Sequence, residues 1–346
     1  MSNKNLLVMY HSPCMDGYGA VCAFVDAVNK EDWDTIQYFP CGYGELEELP
    51  FMVGNNPLSG KTHVLCLDIC PTPKTMDYML VDRGLNVCIL DHHNTAMDNL
   101  EYYNKAGVLF TITEDFSGAS LVKALGPAIN FVFGQEVTAT DYLEEEGILT
   151  NNDTWKYLDR SRIESSKLYT LLEVRDLWLR DDPALKQQAD DFCAYCKEND
   201  IAKGAVQPSS VMEGILEEAL VEGRKINAAQ EEVIMKAIDA SITWQTVADE
   251  EELHVLVGDC PKEMSSMFGS LFNDSVMGNS LAIGTYSDGD IIAGLSLRSK
   301  GNIGYARIVA EALGGGGHDH SSGANFKGNK LTRDELIQRV KDILAA

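Results

Sequence analysis

Acids and histidines recur where apolar runs of this sequence end. Val87-Cys88-Ile89-Leu90 leads into Asp91-His92-His93, and His63-Val64-Leu65-Cys66-Leu67 leads into Asp68. Leu6-Leu7-Val8-Met9-Tyr10 leads into His11, with Asp16-Gly17 about one turn later. Imidazole and carboxylate together suit a borderline-to-hard divalent cation. Any one of these groups alone reads equally well as a surface loop with solvated side chains. Repetition of the pattern at successive runs is not something core packing asks for. A metal cluster at the edge of a sheet does ask for it.

The elements that must carry these residues follow from periodicity. Continuous apolar runs of this length read as strands of a parallel sheet buried on both faces. Open α/β sheets bind ligands at the carboxyl ends of their strands. A helical segment follows each run. After His11, Gly17 and Gly19 allow a tight turn, and Ala20-Val21, Phe24-Val25 and Val28 give helical spacing. No Gly-Lys-Ser/Thr follows, so this is not a phosphate loop. Ile36–Phe39 reads as a further strand ahead of a glycine-rich turn. Pro71 and Pro73 open a helix to about Arg83. Ser117 is a suitable N-cap for an apolar helix running through Phe131. Pro208 marks a linker, and helix from Val211 to Asp239 joins a second domain. There, strands are expected at Ile242–Val247, Leu253–Val257, Leu281–Tyr286 and Ile291–Leu297. Helices are expected at Lys262–Phe272, Ile303–Leu313 and Arg333–Leu344. The fold class is therefore α/β: a doubly wound parallel sheet domain over 1–204, a helical linker over 205–240, and a smaller α/β domain with a mixed sheet over 241–346.

The set His11…Asp16-Gly17, Asp68 and Asp91-His92-His93 resembles the DHH phosphoesterase superfamily. Gly314-Gly315-Gly316-Gly317-His318-Asp319-His320-Ser321-Ser322-Gly323 resembles the signature of the DHH-associated C-terminal domain, and Arg298-Ser299 resembles its substrate-contacting pair. Five of the seven histidines fall inside these two motifs. The resemblance implies a two-metal phosphodiesterase, a hydrolase with manganese as the expected ion and Mg2+ or another divalent ion as alternatives. It implies metal ligands at His11, Asp16, Asp68 and His92, with Asp68 placed to bridge the ions. Asp91 and His93 are the expected catalytic pair, with Asp91 also a candidate ligand. One further ligand is expected at the end of a helix, and both Asp153 and Asp176 offer it, with Asp176 preferred. Substrate contacts fall to Arg298, Ser299, Gly315, Gly316, Gly317 and His318. Successive glycines can line an anion nest with backbone N–H groups, and Arg298 adds a guanidinium fork. One departure stands out. The family carries Asp two residues before Asp16, and here that residue is Cys14. A thiol there leaves one ion site weaker, altered in preference, or completed by water. The implied substrates are very short RNA or linear dinucleotides. A cyclic-dinucleotide phosphodiesterase and a non-catalytic nucleotide-sensing module remain as alternatives.

Composition narrows the partners. Lys and Arg number 28 against 53 Asp and Glu, a formal charge of −25 over 346 residues. Such a field repels long polyanions, so long nucleic acid is not an expected partner, whereas a short anionic ligand can enter at a local positive group. No apolar stretch approaches 20 residues, and the first five residues lack a signal peptide's apolar region. The cysteines are odd in number and scattered through apolar runs, as reduced intracellular thiols are. Cys193 and Cys196 have a CxxC spacing without a second pair, which favours packing. The expectation is a cytoplasmic enzyme without a membrane partner, its oligomeric state open, with a homodimer one option.

Overall fold

The computed structural model describes residues 4–52, 56–134, 143–145, 148–177, 179, 182–248, 250–288, 291–326 and 331–345. The chain divides into two compact units, Met1–Ile226 and Asn227–Ala346. The division falls inside one helix, Ser209–Asp239.

The first unit is built on a seven-stranded sheet. Its strands are β1 (Asn5–His11), β2 (Thr35–Cys41), β3 (His63–Leu67), β4 (Asn86–Asp91), β5 (Leu109–Thr113), β6 (Leu143–Glu145) and β7 (Ile148–Thr150). They lie in the order β2-β1-β3-β4-β5-β7-β6. β1 to β5 pair in parallel, while β7 joins β5 antiparallel and β6 joins β7 antiparallel. Register puts Val8 beside Leu65 and Leu65 beside Cys88, so the three ligand-bearing strands end side by side.

Alternation decides which face each residue serves. Leu6, Val8, Tyr10, Leu65, Leu67, Cys88 and Leu90 pack on one face, under the helices Met15–Ala27, Gly118–Leu125 and Lys167–Asp176. Leu7, Met9, Val64, Cys66, Val87 and Ile89 pack on the other. Burial on both faces is why these runs are continuously apolar, as the sequence pattern requires. Cys66, Cys88 and Cys196 sit inside these cores as small hydrophobes, and all nine cysteines are unbridged. The expected helix from Ser117 to Phe131 is broken in two. Gly126 takes φ 50°, and a 3₁₀ segment continues to Gly134. Pro127 cannot donate the helical hydrogen bond, which explains the break.

The second unit is a mixed six-stranded sheet. Its strands are β8 (Ile242–Ala248), β9 (Glu251–Asp259), β10 (Asn279–Asp288), β11 (Ile291–Lys300), β12 (Gly316–His318) and β13 (Ser321–Asn325). The order is β12-β13-β11-β10-β9-β8, with β9 and β10 parallel and the other pairs antiparallel. Helices Tyr305–Ala312 and Arg333–Leu344 bury Tyr305, Val309, Leu336 and Val340 against one face, and Ser265–Ser275 buries Phe268 on the other. Of the expected helix from Lys262, the first turn is 3₁₀ and the α-helix begins at Ser265. No helix among the described residues is long and apolar enough to cross a membrane.

Candidate metal centre

Ligand-type atoms converge at the carboxyl ends of β1, β3 and β4. Three groups have their ligand atoms within 4.8 Å of one another: Asp68, Asp91, His92 and His93; His11, Cys14 and Asp68; and Asp16, His92 and Asp176. Asp68 belongs to two of them. Its Oδ1 lies 3.1 Å from His92 Nε2, and its Oδ2 lies 3.5 Å from His11 Nδ1. His92 Nε2 also lies 3.1 Å from Asp176 Oδ2 and 3.7 Å from Asp16 Oδ2.

Burial makes these contacts informative. Asp68 is 1% exposed and Asp91 fully buried, and Asp16 and His92 are buried too. Yet His11 Nδ1, Asp16 Oδ2, both oxygens of Asp68, Asp91 Oδ2, His92 Nε2 and Asp176 Oδ2 make no hydrogen bond. Buried polar atoms are almost always hydrogen-bonded, because leaving them bare costs a few kcal/mol each, roughly. A cluster of bare carboxylate oxygens and imidazole nitrogens around one point fits divalent cations, whose positive charge satisfies both donor types.

The local chain explains how each side chain is held. Asp68 has φ 58°, a left-handed conformation that non-glycine residues rarely adopt outside functional sites. Its N–H donates to the Leu90 carbonyl. Gly118 makes room for it, since a Cβ at 118 would lie 2.5 Å from Asp68 Cβ. Gly17 does the same for His11, whose carbonyl oxygen would meet a Cβ at 17 at 2.2 Å. Asp16 Oδ1 accepts from the Ser117 hydroxyl at 2.6 Å and from the Ala119 N–H at 3.0 Å, at the N-terminus of the helix Gly118–Leu125. That helix end favours the carboxylate and leaves Oδ2 for the cluster. Asp91 Oδ1 accepts from the His92 N–H at 2.7 Å and from His93 Nδ1 at 2.8 Å, so it fixes the turn that carries both histidines. Asp176 is the last residue of the helix Lys167–Asp176.

The electrostatics follow from packing several carboxylates and imidazoles together out of solvent. Burial, then the carboxylates of Asp176 and Asp68, push the Asp16 carboxyl well up against the pull of His92. Burial pushes Asp176 up as well, with His92 opposing and Asp68 adding. For Asp68 burial also raises the carboxyl, but the imidazoles of His11, His92 and His93 outweigh it and hold the group below the carboxylate range. Burial lowers His92 and His93, yet the surrounding carboxylates raise both, with Asp91 the main partner of His93. Burial and the charges of Asp68, Asp176 and Asp16 drive the Cys14 thiol well up. A bound cation inverts this pattern, since a coordinating thiol is deprotonated outright.

Of the expected metal ligands, the structure gathers His11, Asp16, Asp68, His92 and Asp176, with Asp91, His93 and Cys14 among them. It does not gather Asp153, whose side chain is 46% exposed and pairs with Lys156 at 2.5 Å. Of the two acids left open by the sequence, Asp176 lies in the cluster and Asp153 does not. Sequence reasoning passed over Tyr43, and it did not pair Ser117 with Asp16 or Gly118 with Asp68. The Tyr43 ring sits edge-on to His11 at 5.4 Å and to His93 at 6.1 Å. The glycine-rich turn after β2 was the only signal for Tyr43. Gly118 gives none, because its neighbour Asp68 is distant in sequence.

The second unit's expected substrate residues differ in what they already do. The Arg298 guanidinium donates to the Leu297 carbonyl and to the Ser266 hydroxyl, both at 2.8 Å. Gly269 lets its stem pack against the helix Ser265–Ser275. Ser299 Oγ accepts from the Ala306 N–H and meets His320 Nδ1 at 3.1 Å, tying β11 to the turn at 319–320. The glycines are not one open nest, which corrects the expectation. The Gly314 and Gly315 N–H groups close the end of the helix Tyr305–Ala312 by donating to Glu311 and Ala310. Gly316, Gly317 and His318 form β12.

A scan against protein-family models finds no match. R106, an uncharacterized protein of Acanthamoeba polyphaga mimivirus, is 23% identical over 338 residues, covering 94% of this chain and 68% of that protein. Among solved structures, RecJ of Thermus thermophilus in complex with Mn2+ matches with a TM-score of 0.55 at 15% identity over 99% of this chain. The match takes in 52% of RecJ, so this chain spans about half of that protein's length. An exopolyphosphatase-related protein of Bacteroides fragilis matches with a TM-score of 0.48 at 15% identity, covering 99% of this chain and 92% of that one. The fold is similar to that of RecJ, which bears out the resemblance read from the sequence at the level of fold.

Proposed function

We propose that this chain is a metal-dependent phosphodiesterase that hydrolyses very short RNA or linear dinucleotides. Asp68 carries the reading. It is a buried acid in a left-handed conformation, with one bare oxygen beside His92 and the other beside His11. A carboxylate so placed would have an oxygen to offer to an ion on either side.

We assign His11, Asp16, Asp68, His92 and Asp176 to two divalent ions, with Mn2+ first and Mg2+ second. The RecJ structure of matching fold was determined with Mn2+. When bound, such ions supply a nucleophile at neutral pH and offset charge growing on the phosphoryl oxygens. The protein's own groups position the reaction. Asp91 locks the His93 ring through Nδ1, and we assign His93 to the phosphoryl group. Tyr43, 37% exposed beside both histidines, offers a ring face on which a base can stack. Substrate contact in the second unit is assigned to Arg298, His318 and the backbone of Gly316 and Gly317. Ser299 and Gly315 are assigned supporting places beside them.

The test is Asp68→Ala, compared with wild type for bound metal and for hydrolysis of a linear dinucleotide. Wild type should retain two ions per chain and turn over, while the variant should lose at least one ion. Its rate should fall roughly 10³-fold, the equivalent of about 4 kcal/mol of transition-state stabilisation. A variant that keeps the wild-type rate would remove the basis of the reading.

A further inference from the structure

We propose that the two ion positions are chemically unequal, with Cys14 making the His11 side a thiolate site for a borderline-soft ion such as Zn2+ or Co2+. This rests on the metal-centre reading above.

The two sides of Asp68 present different donors. On the Oδ2 side stand His11 Nδ1 and Cys14 Sγ, and the three ligand atoms lie within 4.8 Å of one another. Both His11 Nδ1 and Asp68 Oδ2 are buried without a hydrogen bond, so the cysteine sulfur stands beside two bare donors. On the Oδ1 side stand His92, Asp16 and Asp176. The first set offers nitrogen, sulfur and oxygen. The second offers one nitrogen and three carboxylates, with no sulfur. Thiolate selects Zn2+ and its softer neighbours, while a carboxylate-rich set suits Mn2+ and Mg2+. Three protein ligands that leave a fourth position open are also the pattern of catalytic zinc. Cys14 occupies the N-cap of the helix Met15–Ala27. Coordination there forms a metal–sulfur bond, and the thiol proton passes to solvent. Among the described residues no other cysteine joins such a group. Substituting Cys14 by Asp converts the first set to nitrogen and oxygen alone, and so makes the two positions alike.

The experiment titrates the full metal-free chain with Co2+, following the ultraviolet thiolate-to-metal charge-transfer band while bound metal is counted by elemental analysis. Wild type should show the band as cobalt binds, and Cys14→Asp and Cys14→Ser should lose it. Titrating Zn2+ into the Mn2+-loaded protein should displace the first ion from wild type at lower Zn2+ than from Cys14→Asp. Circular dichroism establishes which variants are folded, and Cys14→Ser carries the comparison if the charged variant is not. Two bound cobalt ions without the band, or a band that persists in both variants, would overturn the inequality and leave the two-ion centre standing. Failure to bind any divalent ion would overturn the centre itself.

Discussion

At the scale of the residue, Asp68 sets the cost and the use of the site. A non-glycine residue at φ 58° costs about 1 kcal/mol or more, and glycine there relieves it. Asp68→Gly should therefore unfold later than Asp68→Ala in the metal-free state, by about 1 kcal/mol in urea denaturation, since both lose the carboxylate and only glycine relieves the backbone. An Asp68→Gly that unfolds with or before Asp68→Ala would show that the conformation is not strained. Titration gives a second prediction. His92 in the metal-free fold is raised above its ordinary 6.5, so the stability it contributes is complete below that pH and is lost as pH rises through the raised value. Asp16, also raised, acts with the same sign. Asp68, held low, adds no slope near neutrality. Thermal unfolding in chelator should therefore shift to lower temperature as pH rises above the ordinary histidine value of 6.5. With Mn2+ present the slope should reverse, because protons then compete with the metal. A midpoint in chelator that rises with pH would contradict the assignment. At this scale the sequence was legible where ligands end strands, since an acid or histidine after an apolar run has few other reasons to recur. It was silent on Gly118, because the need for glycine there comes from a contact between distant segments.

At the scale of the element, the three strand ends were readable because burial on both faces leaves a continuous apolar signature. The choice between Asp153 and Asp176 was not readable. Both follow apolar segments, and only packing of the helix Lys167–Asp176 under the sheet brings one of them to His92. The run of four glycines and its likeness to a family signature cannot tell a nest from a strand. The structure separates its members. Gly317 has φ 140°, and a Cβ there would lie 2.7 Å from the Ser321 carbonyl oxygen, whereas a Cβ at Gly316 would meet nothing within 4 Å. Gly317→Ala should therefore destabilise the chain by about 1–3 kcal/mol, and Gly316→Ala should leave the unfolding midpoint unchanged. If Gly316 is glycine so that a ligand can approach its backbone, Gly316→Ala will raise KM for a dinucleotide severalfold at unchanged stability. Unchanged kinetics would free Gly316 from any part in binding.

At the scale of the whole molecule, charge bears on which substrate can be used. The formal charge of −25 opposes an extended phosphate backbone, and the sequence contains no basic run to track one. This was legible from composition, whereas the fold likeness to RecJ leaves it open, because a fold hosts many substrates. The most direct measurement compares cleavage of a linear dinucleotide with that of an oligomer of about 20 nucleotides, in Mn2+ and at several salt concentrations. The account predicts metal-dependent cleavage of the dinucleotide, abolished by chelator, and slower cleavage of the oligomer, most marked at low salt where repulsion is least screened. No turnover of the dinucleotide by protein carrying its ions, or faster cleavage of the oligomer at low salt, would contradict it.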